Sequence, residues 1–439
     1  MGKSKKYGMH TRAIHTEKRV ELPTGDVMPP IHLSTTYESS QPGEYEYFYG
    51  RSGNPTREHF ERTMASLEGV ENHEEMHSFA MASGMAAVTL IGELAKPGDH
   101  VVITKDVYGG TTDFFSTIAT KRGVKVDFCD FYDVEKLESL LNEETKLVWI
   151  ESPSNPRMNI FELKKYSEIV KKHSNAYLVA DGTFSTPFIT KPLEHGVDIV
   201  FHSTTKYIGG HGTAIAGSIV DSGNFDWTAD PKRQPLFNEP DASYGGAVWG
   251  KVVPELTGAN VAFAVRARVT LLRDIGAALS PDNAFGVIQG LETVALRMKQ
   301  HCSNAEKVVE FLKNHEEVTK VIYPTEHDKN IADRAEKYLK GGKGALVGIE
   351  LKGGLEAGKK FIDSLKLLYH VANIGDARSL AIHPASTTHS QLTPEEQLKA
   401  GVTPGYVRLS IGIEHVDDII EDIEQALNKS SKGSLKAVS

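Results

Sequence analysis

The spacing of hydrophobic positions divides the chain into an irregular start and two patterned regions. Residues 1–73 show no regular period and are rich in Pro, Gly and Tyr, as in "QPGEYEYFYGRSGNPT". Such a segment packs poorly on itself. We therefore expect residues 1–73 to form an arm that contacts a neighbouring subunit.

From residue 74 onward, short apolar runs rich in Val and Ile recur, as in "DHVVITKD", "TKLVWIE", "AYLVAD" and "VDIVFH". Helical stretches such as "FELKKYSEIVKKHS" lie between them, which is typical of a parallel sheet with crossover helices. Residues 74–280 are therefore predicted to form a doubly wound α/β domain whose sheet is mostly parallel.

The pattern changes near residue 280. Residues 280–313 have the periodicity of an amphipathic helix, "VTKVIYP" and "GALVGIELKGG" that of strands, and "VRLSIGIEHVDDIIEDIEQALNK" that of a strand followed by a helix. Residues 281–439 are therefore predicted to form a smaller C-terminal α+β domain.

Length and composition are those of a folded globular protein. The 439 residues exceed the ~250 to 300 at which single cores stop growing. A net charge of -9 argues against nucleic acid or an anionic membrane as partner, since both need a concentrated positive field. Two cysteines without a CxxC pair favour a reducing compartment, and we expect the cytoplasm.

Polar residues directly follow several predicted strands, where ligands bind in open α/β sheets. After "SFAMA", Ser83 and Gly84 open a predicted helix whose N–H groups suit a phosphate. Ser83 can equally be an ordinary N-cap. Tyr108 lies beside two glycines in "VYGGT", where a flat ligand could approach its ring; the alternative is an ordinary turn aromatic.

Two further strand ends carry Asn155 and Asp181. Asn155 follows "KLVWIESPS" and offers hydrogen-bonding capacity. Asp181 follows "AYLVA", where a carboxylate is unfavourable unless it faces a cation or a protonated ring nitrogen. The alternative is that Asp181 caps the next helix.

The run "VDIVFHSTTKY" ends the fifth strand with Ser203, Thr204, Thr205 and Lys206. A lysine taken alone is usually a solvated surface charge. The small residues of "IGGHGTAIAG" that follow would instead leave room for a ligand beside Lys206.

Together these residues predict a site for pyridoxal 5'-phosphate (PLP). They offer a phosphate cradle, a stacking aromatic ring, a carboxylate for a cationic ring and a lysine that can form a Schiff base. Nucleotide binding is not indicated, because neither a P-loop nor a dinucleotide motif is present. No metal site is expected, since the histidines lack a supporting cluster of carboxylates or thiolates.

From about residue 10 to residue 428 the sequence closely resembles the fold-type I PLP enzymes of cysteine and methionine metabolism, the transsulfuration group. The motifs that carry the resemblance are "YGRSGNPT", "SGMAA", "VYGGT", "ESPSNP", "ADGTFSTP", "HSTTKYIGGHGT", "HPASTTHSQLTPEEQ" and "VRLSIGIEH", in the family's order. The resemblance implies a fold-type I PLP-dependent transferase. It also implies a homotetramer built from dimers that share active sites.

The resemblance assigns roles to single residues. Lys206 is expected to hold the PLP aldehyde and then act as a base, Asp181 to pair with the ring nitrogen, and Thr183 to lie close to the ring. Tyr108 would stack on the ring and support a proton transfer. The phosphate would be held by the backbone of Gly84 and Met85, by the hydroxyls of Ser203 and Thr205, and by Tyr49 and Arg51 of the neighbouring subunit. Ser83 is also expected to contact the cofactor.

The resemblance also implies the substrate. Arg408 would grip an α-carboxylate as a bidentate fork, assisted by Asn155, which is also expected to contact PLP, with Asn373 beside the substrate. The insertion at 221–258, Asn373 in place of the serine usual in lyases and γ-synthases, and Gly110 in place of the cysteine of methionine γ-lyases favour one subgroup. Its members replace the acetate of O-acetylhomoserine with sulfide, which forms homocysteine, or with a thiol, which forms the corresponding thioether.

Three alternatives remain open at this point. Two are a cystathionine γ-synthase and a γ-lyase on the same scaffold, which share every step up to a common unsaturated intermediate and differ in what captures it. The third is a non-catalytic relative, which the intact set of candidate residues argues against.

Overall fold

The computed structural model describes residues 7–16, 24–70, 74–130, 134–155, 157–326, 328–399 and 401–431. Contacts divide the chain into two compact units. The first unit consists of Met1–Ser152 and Phe161–Thr293, and the second of Pro153–Ile160 and Val294–Ser439. The first unit therefore includes the N-terminal segment, and it extends through the helix that follows residue 280.

A seven-stranded sheet forms the centre of the first unit, in the order β1-β7-β6-β5-β4-β2-β3. Neighbouring strands from β6 to β3 pair in parallel, whereas β7 is antiparallel to both β6 and β1. The mostly parallel sheet is as predicted, while β7 was not recognised in the sequence. The strands are β1 (Ser78–Met81), β2 (His100–Thr104), β3 (Lys125–Cys129), β4 (Thr145–Glu151), β5 (Tyr177–Asp181), β6 (Ile199–His202) and β7 (Gly217–Asp221).

Helices connect these strands and cover the sheet. They are α1 (Met9–His15), α2 (Pro55–Glu68), α3 (Glu74–His77), α4 (Gly84–Gly92), α5 (Gly109–Asp113), α6 (Val134–Leu140), α7 (Leu163–His173), α8 (Thr186–Ile189), α9 (Pro235–Asn238), α10 (Trp249–Thr257), α11 (Ala262–Arg266), α12 (Arg273–Ile275) and α13 (Pro281–Glu292). Phe114–Ala119 and Ala267–Leu272 are π-helical, and Pro192–His195 and Ala242–Tyr244 are 3₁₀-helical.

The core of the first unit lies around β4, all seven residues of which are buried. A strand covered on both faces needs a continuous apolar run, and "KLVWI" supplies it. Trp149 packs against Phe115 and Phe201, with ring centroids 5.4 and 5.0 Å away. This packing fixes the central strands and therefore the loops that follow them.

The second unit contains a five-stranded sheet in the order β10-β11-β12-β9-β8, antiparallel except between β10 and β11. The sequence predicted three of these strands and missed the short β10 and β11. The strands are β8 (Val318–Ile322), β9 (Leu346–Leu351), β10 (Tyr369–His370), β11 (Leu380–Ile382) and β12 (Tyr406–Ser410). The helices are α14 (Val294–Lys313), α15 (Lys329–Tyr338), α16 (Gly354–Ser364), α17 (Pro394–Lys399) and α18 (Val416–Ser431).

The helical pattern predicted over 280–313 is realised as two helices, α13 and α14. They are interrupted at Thr293, which has a φ of -106° and a ψ of 2° and ends α13. The division between the two units falls at the same place.

Across the described ranges, every helix is too short or too polar to cross a bilayer. Cys129 and Cys302 are both buried thiols outside any disulfide.

Candidate active site

The carboxyl ends of several strands of the first unit meet at one edge of its sheet. Strands β2, β4, β5 and β6 run in parallel. Strand β1 runs in the same direction as β6, because both pair antiparallel with β7. The segments after β1, β2, β5 and β6 therefore emerge together, which is where doubly wound sheets bind ligands.

The N-terminus of α4 lies against the loop after β6. Ser83 caps this helix, since its side chain accepts a hydrogen bond from the N–H of Ala86 at 3.0 Å. The alternative of an ordinary N-cap is thus realised, and the cap satisfies one of the N–H groups at the start of the helix. A Cβ placed on Gly84 would lie 2.6 Å from the Cβ of Ser203. Glycine at this position therefore allows the helix N-terminus and the Ser203 hydroxyl to share one small cradle.

Tyr108 is the N-cap residue of α5, and half of its side chain is exposed. Its backbone N–H donates to Oε2 of Glu151 at 2.7 Å. Glu151 is a buried carboxylate at the end of β4, and the sequence analysis did not single it out. The rule that identified Asp181, a carboxylate directly after an apolar strand, would have found it.

The tyrosine ring lies over a glycine. A Cβ on Gly110 would approach Cε1 of Tyr108 to 2.7 Å and Sδ of Met85 to 2.9 Å. The side chains of Tyr108 and Met85 therefore both lie next to Gly110, and the tyrosine ring can take this position because residue 110 has no side chain.

Asp181 ends β5 and is 7% exposed. Its Oδ1 accepts from the N–H of Thr183 at 2.9 Å, and Oγ1 of Thr183 accepts in turn from the N–H of Ser203 at 2.7 Å. Desolvation raises the pKa of Asp181, and this effect is opposed by the hydrogen bonds from Thr183 and by the charge of His202. A cation next to this carboxylate would stabilise its ionised form.

Lys206 lies in the turn after β6 and is half-buried. Its backbone N–H donates to the carbonyl of Ser203 at 3.1 Å, and its carbonyl accepts from the N–H of Gly210 at 2.7 Å. The hydroxyl of Thr205 is within 3.1 Å of both the N–H and the carbonyl of Ala216. Thr204, the third hydroxyl residue at the end of this strand, is fully buried.

Three predicted residues come together in the second unit. The guanidinium of Arg408, on β12, donates from Nη1 to Oδ1 of Asn155 and from Nη2 to the carbonyl oxygen of Asn373, both at 3.1 Å. Asn155 therefore contacts Arg408 through its side chain, whereas Asn373 contacts it through its backbone carbonyl. Two fixed bonds orient the guanidinium plane, which suits bidentate recognition of a carboxylate.

Tyr49 and Arg51 form a pair in the first unit, with the guanidinium 4.8 Å from the centre of the tyrosine ring. Arg51 also lies beside Gly276. The pKa of Asp274 is lowered mainly by its hydrogen bond with Arg273, and the charge of Arg51 lowers it further. Their expected role in the site of a neighbouring subunit stays a prediction.

The residues of the first unit fit PLP. The Gly84–Ser203 cradle suits a phosphate, the half-exposed ring of Tyr108 suits a flat heterocycle, and Asp181 suits a protonated ring nitrogen. Lys206 supplies an amine near the same strand ends. Within the described ranges, no group of three or more His, Cys, Asp or Glu side chains is arranged to hold a metal ion.

Comparison with known proteins gives a consistent picture. Residues 10–428 match the model of the family described as Cys/Met metabolism PLP-dependent enzymes. An O-acetyl-L-homoserine sulfhydrylase from Leptospira meyeri is 42% identical over 95% of this chain and 96% of its own. A homocysteine synthase from Schizosaccharomyces pombe is 39% identical over 95% and 97%. Lyases are also among the relatives, at 38% identity.

Solved structures agree with the sequence relatives. A putative O-acetylhomoserine (thiol)-lyase from Campylobacter jejuni, crystallised with N'-pyridoxyl-lysine-5'-monophosphate, superposes with a TM-score of 0.88. It is 35% identical, and the match covers 96% of this chain and 100% of that one.

Proposed function

The chain belongs to the Cys/Met metabolism PLP-dependent enzyme family, and we propose that it is the member that replaces the acetate of O-acetyl-L-homoserine with sulfide. The products would be L-homocysteine and acetate, a transferase reaction of methionine biosynthesis. The names of the relatives from Leptospira meyeri and Schizosaccharomyces pombe support this choice within the family.

The contact around Gly110 is the observation that carries the choice between replacement and elimination. Methionine γ-lyases resemble this chain but carry a cysteine at this position. Here a Cβ on Gly110 would overlap Tyr108 and Met85, at 2.7 and 2.9 Å. The tyrosine therefore occupies the space that a cysteine would need, which favours the sulfide-using subgroup.

PLP, when bound, supplies a conjugated ring that accepts the electron pair left at the substrate Cα after deprotonation. Asp181 is proposed to hold a proton on the ring nitrogen. Gly84, Met85, Ser203 and Thr205 would hold the phosphate, and Tyr108 would stack on the ring. Each of these proposals uses a side chain or N–H group at the carboxyl edge of the sheet of the first unit.

Arg408, oriented by Asn155 and the carbonyl of Asn373, is proposed to bind the substrate α-carboxylate. Lys206 is proposed to take the proton from Cα and later to return a proton to the substrate. A neutral lysine amine can act as such a base, and Lys206 lies half-buried in the turn after β6.

The test is product analysis of the purified protein with O-acetylhomoserine, with and without sulfide. We expect homocysteine that requires sulfide, with little 2-oxobutyrate in its absence. Rapid release of 2-oxobutyrate and ammonia regardless of sulfide would identify a γ-lyase instead. Parallel reactions with cysteine, methanethiol and O-succinylhomoserine identify a γ-synthase or a different sulfur donor, and Lys206→Ala is the inactive control.

We further propose that the active form is a cytoplasmic homotetramer of dimers that share active sites. Large apolar side chains are exposed in the N-terminal segment, including Val27 at 96%, Leu33 at 65% and Phe48 at 62%. A second copy of the chain would bury them. The two buried thiols fit a reducing compartment.

Subunit complementation tests the shared site. A Tyr49→Phe, Arg51→Ala double variant and a Lys206→Ala variant are each expected to be nearly inactive. Mixing them, with subunit exchange, should restore activity, because a mixed dimer has one site with both an intact lysine and an intact partner arm. An active variant with both arm substitutions, or a mixture without recovery, would contradict the proposal.

A further inference from the structure

A buried histidine and glutamate pair lies beneath the predicted cofactor site, and none of the roles proposed so far uses it. His202 ends β6 and Glu68 ends α2, and both side chains are fully buried. Nε2 of His202 is 2.6 Å from Oε1 of Glu68. An ionised Glu68 can only accept, and it would take the hydrogen of this bond from Nε2 of His202.

The second nitrogen of the imidazole faces the strand that carries Asp181. A Cβ on Gly182, the residue after Asp181, would lie 2.6 Å from Cε1 and 3.2 Å from Nδ1 of His202. Among the described residues, Nδ1 of His202 and Oε2 of Glu68 are buried atoms without a hydrogen-bond partner. The charge of His202 is also one of the influences that lower the pKa of Asp181.

Among the described residues, few charged groups lie near the imidazole of His202. Glu68 on α2 bonds to the imidazole, the charge of His202 acts on Asp181 of β5, and the residue opposite His202 on β7 is the neutral Ser218. Glu194 lies near the end of α2, against Gly69, but it is exposed and pairs with Lys191 at 3.1 Å. His202, Glu68 and Asp181 are thus all buried, and His202 bonds to Glu68 and lies next to Gly182, the residue after Asp181.

We propose that Glu68 and His202 are positioning residues that keep Asp181 ionised and directed at the ring nitrogen of PLP. Glu68 would hold His202 as an imidazolium, and the imidazolium would offset the desolvation of Asp181. The three groups then carry a net charge of minus one, which complements the single positive charge of a protonated pyridine ring. This inference rests on the role proposed above for Asp181.

The test compares two cofactors on the full-length protein after removal of PLP. One is PLP, and the other is its 1-deaza analogue, in which a C–H replaces the ring nitrogen. Both carry the same aldehyde and phosphate, so they differ only in the group that Asp181 faces. The dissociation constant of each is measured by the change in visible absorbance on binding.

For Glu68→Gln we expect PLP to bind on the order of tenfold more weakly, the equivalent of about one pKa unit, with the affinity for the analogue unchanged. His202→Gln should behave in the same way, since its amide can still donate to Glu68 but carries no charge. Glu61→Gln is the matched control. Glu61 is another buried carboxylate of α2, which accepts from Ala80 and Arg268 at 2.8 Å, and its substitution should affect the two cofactors equally.

Equal weakening of both cofactors in the Glu68 and His202 variants would overturn the proposal, because the pair would then be a structural contact. Failure of both variants to fold, judged by their thermal unfolding, would likewise show that the pair is a structural contact and would overturn the proposal. The readout is cofactor affinity, so the result does not depend on which compound captures the reaction intermediate. A failed sulfide assay and a failed positioning test can therefore be told apart.

Discussion

At the scale of single residues, Gly110 is the position where one missing side chain decides the shape of the site. Any Cβ there would meet Tyr108 and Met85 within 3 Å. We expect Gly110→Cys to displace the tyrosine ring and to lower kcat/KM by about 10- to 100-fold, since a 1 Å misplacement in an active site can have an effect of that size. Steady-state kinetics with O-acetylhomoserine and sulfide give the measurement.

The neighbouring glycine provides the control. A Cβ on Gly109 would meet no atom within 4 Å, so Gly109→Ala should retain nearly full activity. If the Gly110 variant were as active as the Gly109 variant, the close approach of Tyr108 to residue 110 would not matter for activity.

Substitution of Arg408 by lysine separates the effect of the guanidinium geometry from that of the positive charge. Arg408→Lys keeps the positive charge but loses the planar fork that Asn155 and Asn373 orient. We expect kcat/KM to fall about 10- to 100-fold, mainly through KM, because a hydrogen bond to a charged group contributes about 1.5 to 3 kcal/mol.

The comparison for this prediction is Arg378→Lys. Arg378 is an exposed arginine of the second unit that pairs with Asp376 at 3.0 Å, and exposed pairs of this kind contribute little. Similar kinetics for the two variants would argue that Arg408 acts only through its charge.

At the scale of elements, Asp422 of α18 holds the segment after α16 in place through hydrogen bonds to its backbone. Its buried carboxylate accepts hydrogen bonds from the N–H groups of Lys366, Leu367 and Leu368, at 2.8 to 3.0 Å. Asp422→Ala would leave three backbone donors without this acceptor. We expect a loss of about 2 to 4 kcal/mol in stability, seen as a lower Tm by circular dichroism.

Asp418 lies on the exposed side of the same helix. Substituting it with alanine should change Tm only slightly, as is usual for surface positions. A matching loss of Tm in both variants would indicate a general effect on the helix instead of the loss of the three bonds.

At the scale of the whole molecule, two buried carboxylates make stability depend on pH. Burial raises the pKa of Asp198 to about 6 and that of Asp221 to about 7, from an ordinary 3.8. Between pH 4 and 7 the folded protein therefore holds protons that the unfolded chain has released. The contribution of these two carboxyl groups to the free energy of unfolding is fully present below pH 4 and is lost as the pH rises through 6 and 7.

Asp221→Asn removes one of these titrations and keeps an oxygen for the N–H of Gly223, which now donates to Oδ1 at 2.9 Å. We expect its Tm to exceed that of the wild type by roughly 2 °C or more at pH 8 and to match it at pH 4. Asp226, whose pKa is lowered by Thr228, is the control, since Asp226→Asn should bring no gain at pH 8. A Tm difference for Asp221→Asn that did not vary with pH would refute the explanation.

Much of this protein follows from local sequence. The runs "KLVWI" and "YLVAD" could hardly be anything other than buried strands, and the alternation with helices predicts the mostly parallel sheet. The rule that ligands bind where such strands end then selected Ser83, Tyr108, Asp181 and Lys206, which the structure places at the carboxyl edge of one sheet. Short elements such as β10 and β11 escaped prediction, because two or three residues carry too little pattern.

What only the tertiary structure decided are contacts between residues distant in sequence. No pattern indicates that Asn155 contacts Arg408, that Gly110 lies beneath Tyr108, or that His202 meets Glu68. Each of these contacts depends on strand register and on the packing of side chains from separate elements, which local periodicity does not encode. The sequence by itself therefore determined the elements and the chemistry at their ends, whereas the three-dimensional packing determined which of these groups act on one another.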